Sequence, residues 1–380
     1  MDIAVRELRL VAYMIRRFHP TRTPASLALD ARPVLPTSQS SEHPDPDVTS
    51  NEAAVPLVTV ITSAYNIAPY IRESALSALK QTYSNLELIV IDDGSTDGTL
   101  ERIEGITDAR LRILKRPHQG QAAAMNAGIA EARGDYIALL DGDDVWLPQK
   151  LEHQLAFHVD HPDVDMTYSG SREIDAEGNI GGLLPTANRS VSFRDLLIEN
   201  PIHNGSVAVV RKNVLDEVGG FDNDLAACHD LDMWLRLAKL REGNIFGISE
   251  PLTLYRRRPD QTSSDVQRMA KGWSQCIAKA ALVAPDEVRA TESARQVNLN
   301  RYFAYVSYQA RQFGAALRYM GKPLLSSPIG FVMDRRNVLL AGACLSGILL
   351  PASWHQALYL RMRERYDRTV IEQVRRANES

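Results

Sequence analysis

Cysteine is scarce in this sequence. Cys228, Cys276 and Cys344 are the three in 380 residues, odd in number, far apart and without a C-x-x-C pair. That excludes a disulfide framework or a thiolate zinc site and fits a reducing compartment. A surplus of positive charge is also missing: 43 basic side chains against 47 acidic ones leave a formal charge of -4. Such balance does not supply the basic field of non-specific nucleic-acid binding, so no nucleic acid is expected as partner. Long apolar runs are absent too. The first twenty residues carry Asp2, Arg6, Glu7 and Arg9 where a cleaved leader needs an apolar stretch, so none is expected. From Asn337 to Leu360 there is no formally charged residue except potentially His355, but Pro351 divides the segment. The apolar remainder, Val338 to Leu350, suits a buried or monotopic helix better than a span.

What is present is an ordinary globular composition, 44% apolar and 24% charged, which rules out a disordered or fibrous chain. The length exceeds what one core organises, which implies a catalytic-size domain with additions. Residues 1–20 read as an amphipathic helix, with Val11, Met14, Ile15 and Phe18 on one face and Arg9, Arg16 and Arg17 available to the other. It either docks on the protein or lies in a membrane interface. Residues 21–54 read as a linker in which Pro33, Pro36, Pro44 and Pro46 prevent regular helix. Residues 55–264 alternate strand and helix, and 265–380 read as a helical extension over 265–282, 292–313 and 354–376. Arg335 and Arg336 before the uncharged stretch, and Arg361 and Arg363 after it, suit anionic headgroups. A membrane surface is therefore an expected partner, with the protein cytoplasmic or peripheral on the cytoplasmic face.

The alternation begins abruptly at Pro56. Buried-type strands are predicted at 57–61, 86–91, 110–114 and 136–140, with helices at 69–81, 100–106 and 121–133 between them. This spacing predicts an α/β fold with a mostly parallel sheet, helices on both faces and a ligand site at the strands' carboxyl ends. Polar and acidic residues do follow the strands: Ser63 to Asn66, Asp92 to Ser95, and Asp141 to Asp144. Asp141, Asp143 and Asp144 concentrate like charge that a hard divalent cation would neutralise, Mg²⁺ or Mn²⁺ with positions open for phosphate oxygens. The alternative is a solvated loop in which Asp144 caps the next helix. Asp93 could accept from a nucleobase imide and Tyr65 offer its ring to the base, a pairing that suits uracil or thymine. Against these stand helix capping around Asp93 and ordinary packing of Tyr65.

Taken together, Val58-Thr59-Val60-Ile61…Tyr65-Asn66, Leu88 to Asp97, Gly120…Asn126-Ala127-Gly128 and Gly134-Asp135-Tyr136-Ile137…Asp141-Gly142-Asp143-Asp144 resemble the inverting family 2 glycosyltransferases of GT-A fold. The resemblance runs from about Pro56 to Ser264. It implies that Tyr65, with Ser63 beside it, stacks on the nucleotide base and that Asp93 bonds that base. It makes Asp141 the acid contacting the nucleotide sugar and Asp143 the ligand of Mn²⁺ or Mg²⁺, with Asp144 a helper. Within Cys228 to Arg236, Asp230 resembles the general base, with N-capping as its structural alternative, Asp232 as its nearest competitor, and Trp234 and Arg236 continuing the pattern. His229 replaces the usual preceding acid, Met125 stands where many relatives carry an arginine, and Arg258 stands where many carry a histidine. An arginine there can meet diphosphate, or belong to a solvated basic cluster. His203, in a loop before the strand at 207–210, is assigned to the acceptor side.

The implied activity is transfer of a sugar from a nucleoside-diphosphate sugar, a UDP-sugar first, to a glycan or lipid-linked acceptor by metal-assisted single displacement. Two other readings compete with it. One is a nucleotidyltransferase, which would release pyrophosphate; the other is a silent nucleotide-sugar-binding scaffold, suggested by His229, Met125 and Arg258.

Overall fold

The computed structural model describes residues 55–361 except 327, 356, 357, 359 and 360. The segments 1–20 and 21–54, and most of the helix expected over 354–376, lie outside the described residues. Within them the chain runs β1 (Val58–Ala64), α1 (Ile71–Leu79), β2 (Leu86–Asp92), α2 (Glu101–Glu104), β3 (Leu111–Lys115), α3 (Gln121–Glu131) and β4 (Tyr136–Leu139). It continues through β5 (Val145–Trp146), α4 (Lys150–Asp160), β6 (Met166–Ile174), β7 (Ile180–Leu184), α5 (Phe193–Ile198), β8 (Ala208–Arg211), α6 (Lys212–Val218), α7 (His229–Leu240) and β9 (Ile245–Arg256). Five helices close it: α8 (Val266–Val283), α9 (Pro285–Gln309), α10 (Phe313–Ser326), α11 (Pro328–Met333) and α12 (Arg335–Leu349).

The strands form one sheet in the order β3-β2-β1-β4-β8-β6-β9-β5, with β7 paired to β6. The first four are parallel, Val58 facing Leu86 on one side and Tyr136 on the other. Their carboxyl ends therefore open on one edge, as the βαβ alternation requires. Beyond β4 the sheet becomes mixed: β8 enters antiparallel to β4 and β6, and β9 runs parallel to β6 but antiparallel to β5. The sequence signal for parallel crossovers stops at β4, and so does the purely parallel part.

Both faces of β1, β2 and β4 are apolar because each has its own helices. Val58, Val60, Leu88 and Val90 pack with Ile71, Ala75 and Ala78 of α1 and with Leu151 and Leu155 of α4. The alternate residues Ile61, Ile89, Ile91, Ile137 and Leu139 pack on the other side with Met125 and Ile129 of α3 and Trp234 and Leu237 of α7. Each such fully buried aliphatic side chain contributes about 1.5–3 kcal/mol relative to exposure. Helix α3 lies unusually close to the sheet at Gly128. A Cβ there would sit 2.6 Å from Ile61 Cγ2 and 2.8 Å from Ile91 Cδ1.

The helical extension is joined to this body by polar bonds. Arg301 of α9 reaches Glu199 at 2.9 Å, Asn298 donates to the Ile198 carbonyl at 3.3 Å, and the Tyr305 hydroxyl donates to Glu173 at 3.1 Å. A small core of its own, including Ala304, Tyr308, Ala316, Met320, Phe331 and Cys344, ties α9 to the last three helices. Among the described residues no helix is long and apolar enough to cross a membrane. The close approach at Gly128 yields a test: Gly128→Val should lower the unfolding free energy by about 1–3 kcal/mol in urea titrations, whereas an unchanged midpoint would mean that α3 can move off the sheet freely.

Candidate active site

The sheet's carboxyl edge opens into a cavity of about 1590 Å³. Ser63 and Tyr65 enter it from the end of β1. Directly after them Asn66 takes a left-handed backbone (φ 51°), and its Oδ1 accepts from the Thr96 amide at 2.8 Å. The loops after β1 and β2 are thus tied together. Tyr65 is 46% exposed and lies stacked on His118, ring centres 4.0 Å apart.

Asp93, from the loop after β2, is buried. Its two carboxylate oxygens accept from the Gln119 and Gly120 amides, both at 2.8 Å, and His118 Nδ1 lies 2.8 Å from Oδ2. Gly120 (φ 94°) is in a conformation that glycine adopts at little cost, and this aims its N–H at the carboxylate as α3 begins. His118 had no place among the residues expected at the site. Its signal was position: it lies in the loop after β3, on the same edge as the others.

The loop after β4 holds the acids. The Asp141 amide donates to Ser206 Oγ at 2.9 Å, and its carboxylate accepts from Gln121 Nε2 at 2.8 Å. Burial, followed by the nearby charges of Asp143 and Asp230, pushes its pKa up to about 7. Asp143 accepts from Arg258 Nε at 2.9 Å. Asp144 points inward and does not line the cavity. Its oxygens accept from Ser206 Oγ at 2.6 Å and the Arg256 amide at 2.8 Å. Burial, then the neighbouring acids, raises its pKa well above the carboxylate range. It shapes the loop and faces away from the opening. Gly142 permits the turn between these acids, since a Cβ there would meet Ile67 Cδ1 at 2.2 Å.

Arg256 is the second residue that the sequence reading passed over. Buried at the end of β9, it donates to the Asp143 carbonyl at 2.7 Å, pairs with Glu73 at 2.7 Å and lies over the Tyr70 ring. Arg258, two residues on, faces the cavity and pairs with Asp143 and Asp260.

Opposite stands the start of α7. Cys228 adopts a left-handed backbone (φ 59°), uncommon for a residue other than Gly, Asn or Asp and costing about 1–3 kcal/mol. That turn opens the helix with Asp230 in its first turn, lining the cavity. Asp230 Oδ1 also accepts from the Leu231 amide at 2.8 Å. Asp232 is the buried partner of Arg236 at 2.8 Å and Lys279 at 2.6 Å, a structural ion pair away from the opening. His229 lines the cavity, and burial lowers its pKa. Asn126 clamps α3 to the approach to α7, exchanging bonds of 2.8 Å with the Phe221 amide and carbonyl. Met125 and His203 line the wall.

A family model described as glycosyl transferase family 2 matches residues 59–219. An uncharacterized glycosyltransferase of Haemophilus influenzae is 40% identical over 163 residues, which is 42% of this chain and 64% of that protein. The Bacillus subtilis putative teichuronic acid biosynthesis glycosyltransferase TuaG is 31% identical over 220 residues, 57% of this chain and 85% of that protein. The chain belongs to glycosyltransferase family 2. It spans 64% of the Haemophilus relative and 32% of the length of each of two Rickettsia relatives.

Among solved structures, S. aureus TarS 1-349 in complex with UDP-GlcNAc matches with a TM-score of 0.52 at 18% identity, over 76% of this chain and 90% of that one. The mannosyltransferase PcManGT from Pyrobaculum calidifontis, in complex with GDP-Man and Mn²⁺, matches at 0.51 and 19%, over 77% and 85%. At these identities the likeness carries the fold, which is GT-A.

The family 2 acids thus stand at one opening under mutual repulsion, and this has a measurable cost. Asp141 keeps its proton up to about pH 7 in the folded chain but ionises near 3.9 when unfolded. Its contribution to stability is therefore complete below the unfolded value and lost as pH rises through 7. In chelator-containing buffer, Asp141→Asn should match wild type near pH 4 and exceed it by about 1–2 kcal/mol at pH 8, a figure discounted for partial exposure. Equal stability across that range in thermal melts would remove the repulsion from the account.

Proposed function

We propose that this chain is an inverting glycosyltransferase that takes a sugar from a nucleoside-diphosphate sugar, a UDP-sugar first, and delivers it to a hydroxyl of a glycan or lipid-linked acceptor. The observation that carries the reading is the convergence of Tyr65, Asp93, Asp141, Asp143 and Asp230 on one cavity from four separate elements. The open face of Tyr65 takes the base, with Ser63 beside it and Asp93 fixing the surrounding loop and accepting from the base edge. Asp141 meets the nucleotide sugar.

The carboxylates also fit a hard divalent cation. Asp141 and Asp143 offer oxygen donors whose repulsion a cation relieves. Among the described residues no three His, Cys, Asp or Glu side chains form a ready cage, as expected where water and diphosphate complete the coordination. Asp143 would hold Mn²⁺ or Mg²⁺, with Asp144 setting the loop behind it. Such an ion supplies Lewis-acid stabilisation of the leaving diphosphate. Arg258 pairs with Asp143 at 2.9 Å and would bring a second positive charge to the diphosphate.

For transfer, Asp230 removes the acceptor hydroxyl proton as the new bond to the anomeric carbon forms. The bond to the diphosphate breaks on the opposite face, so the configuration inverts with no covalent enzyme intermediate. Asp232 cannot share this task, being occupied by Arg236 and Lys279. His229, half-buried beside Asp230, is suited to orienting the acceptor.

The experiment is incubation with Mn²⁺ and a panel of UDP-, dTDP- and GDP-sugars, measuring nucleoside diphosphate release. Asp230→Asn should retain donor affinity while transfer falls by about 10²–10⁴-fold, and Asp143→Ala should lose cation-dependent donor affinity. Full transfer by Asp230→Asn would overturn the base assignment. Release of pyrophosphate would point to nucleotidyl transfer, and inertness to every donor would point to a scaffold.

A further inference from the structure

The uncharged stretch near the end of the chain forms a helix that faces two ways: part of it turns inward, while Leu345, Ile348 and Leu349 stand exposed. Leu339, Leu340 and Ala343 of α12 line the wall of the cavity, and Cys344 is buried. A more continuous exposed apolar surface lies one helix earlier. Leu324 and Leu325 end α10, and Ile329, Val332 and Met333 follow at helical spacing on α11; Leu325 and Ile329 are more than four-fifths exposed. Five large apolar side chains within ten residues make a patch that a soluble surface does not ordinarily carry.

The charge around the patch is one-sided. Between Phe313 and Leu350 the acid is Asp334 alone, against Arg318, Lys322, Arg335 and Arg336. Asp334 is already bonded to Arg301 and Arg336. Lys322 and Arg335, which bracket the patch in sequence, are exposed, and among the described residues neither has an ion-pair partner. Apolar side chains standing out of a short helical corner, with free cations at its borders, match the two layers of an anionic bilayer surface. The hydrocarbons would enter the acyl boundary and the cations would meet headgroup phosphates.

We propose that the α10–α11 corner, Leu324, Leu325, Ile329, Val332 and Met333 with Lys322 and Arg335, docks the protein on an anionic lipid bilayer. The docking is shallow, since among the described residues no helix is long and apolar enough to span. It also places a membrane beside α12, which carries Arg335 at one end and cavity-lining residues along its length. The proposal does not depend on the transfer reading, because vesicle binding needs no donor.

The test is co-sedimentation of the full chain with vesicles of phosphatidylcholine alone and with roughly 30% phosphatidylglycerol added. Binding is expected on the anionic vesicles and should weaken in high salt. The variant Leu325→Asp/Ile329→Asp/Met333→Asp should partition at least about tenfold more weakly, and Lys322→Glu/Arg335→Glu about tenfold more weakly. Nucleoside diphosphate release in vesicle-free buffer should be unchanged in both. The charge-reversal variant alters exposed side chains only, so it decides the matter should the apolar variant fail to fold. Absence of binding would overturn the proposal, as would binding that both variants leave intact. So would a concentration-dependent dimer that ignores vesicles and is lost in the apolar variant.

Discussion

Asp141, Asp143 and Asp144 leave β4 together, and three carboxylates so close on a largely buried loop repel one another unless each finds its own compensation. The surrounding structure is largely the set of compensations. Asp144 turns inward to Ser206 and the Arg256 amide, Asp143 receives Arg258, and Asp141, left with Gln121, retains a proton. Arg256 is itself buried, so it needs Glu73, the Asp143 carbonyl and the Tyr70 ring. Through that one guanidinium, α1, the acidic loop and β9 are held in fixed relation. The negative charge left at the mouth of the cavity is what the proposed divalent cation would neutralise.

Much of the parallel half was legible in the sequence because its signals are local. Runs such as Leu88 to Ile91, buried on both faces, have few other places to go, and the acids that follow them fall on the carboxyl edge by topology. The second half was less legible. Strands β6 to β9 pair across long sequence separations, so no short pattern announces their order. At the site, Tyr65, Asp93, Asp141, Asp143 and Asp230 all reach the cavity. Asp144 and Asp232 illustrate what spacing alone leaves open: each lies within two residues of a cavity acid, yet faces inward because partners distant in sequence, Arg256 and Lys279, draw it there. His118 and Arg256 went unnoticed for the same reason.

The helical extension is part of the site. Tyr302 and Tyr305 of α9 and Leu339 and Leu340 of α12 line the same cavity as the strand-end acids, so part of its wall is built by a segment that the motifs between Pro56 and Ser264 do not cover. The network of Glu173, Arg257 and Tyr305 joins β6 and the end of β9 to this extension.

Asp230 lines one wall of the cavity and the acids of the β4 loop another, and the proposed transfer uses Asp230 as its base with no covalent intermediate. The most direct test is therefore the anomeric configuration of the transferred sugar, followed by NMR from the start of the reaction with an α-linked donor. The account predicts a β-linked product formed directly. An α-linked product would contradict it, since a single displacement at the anomeric carbon inverts its configuration.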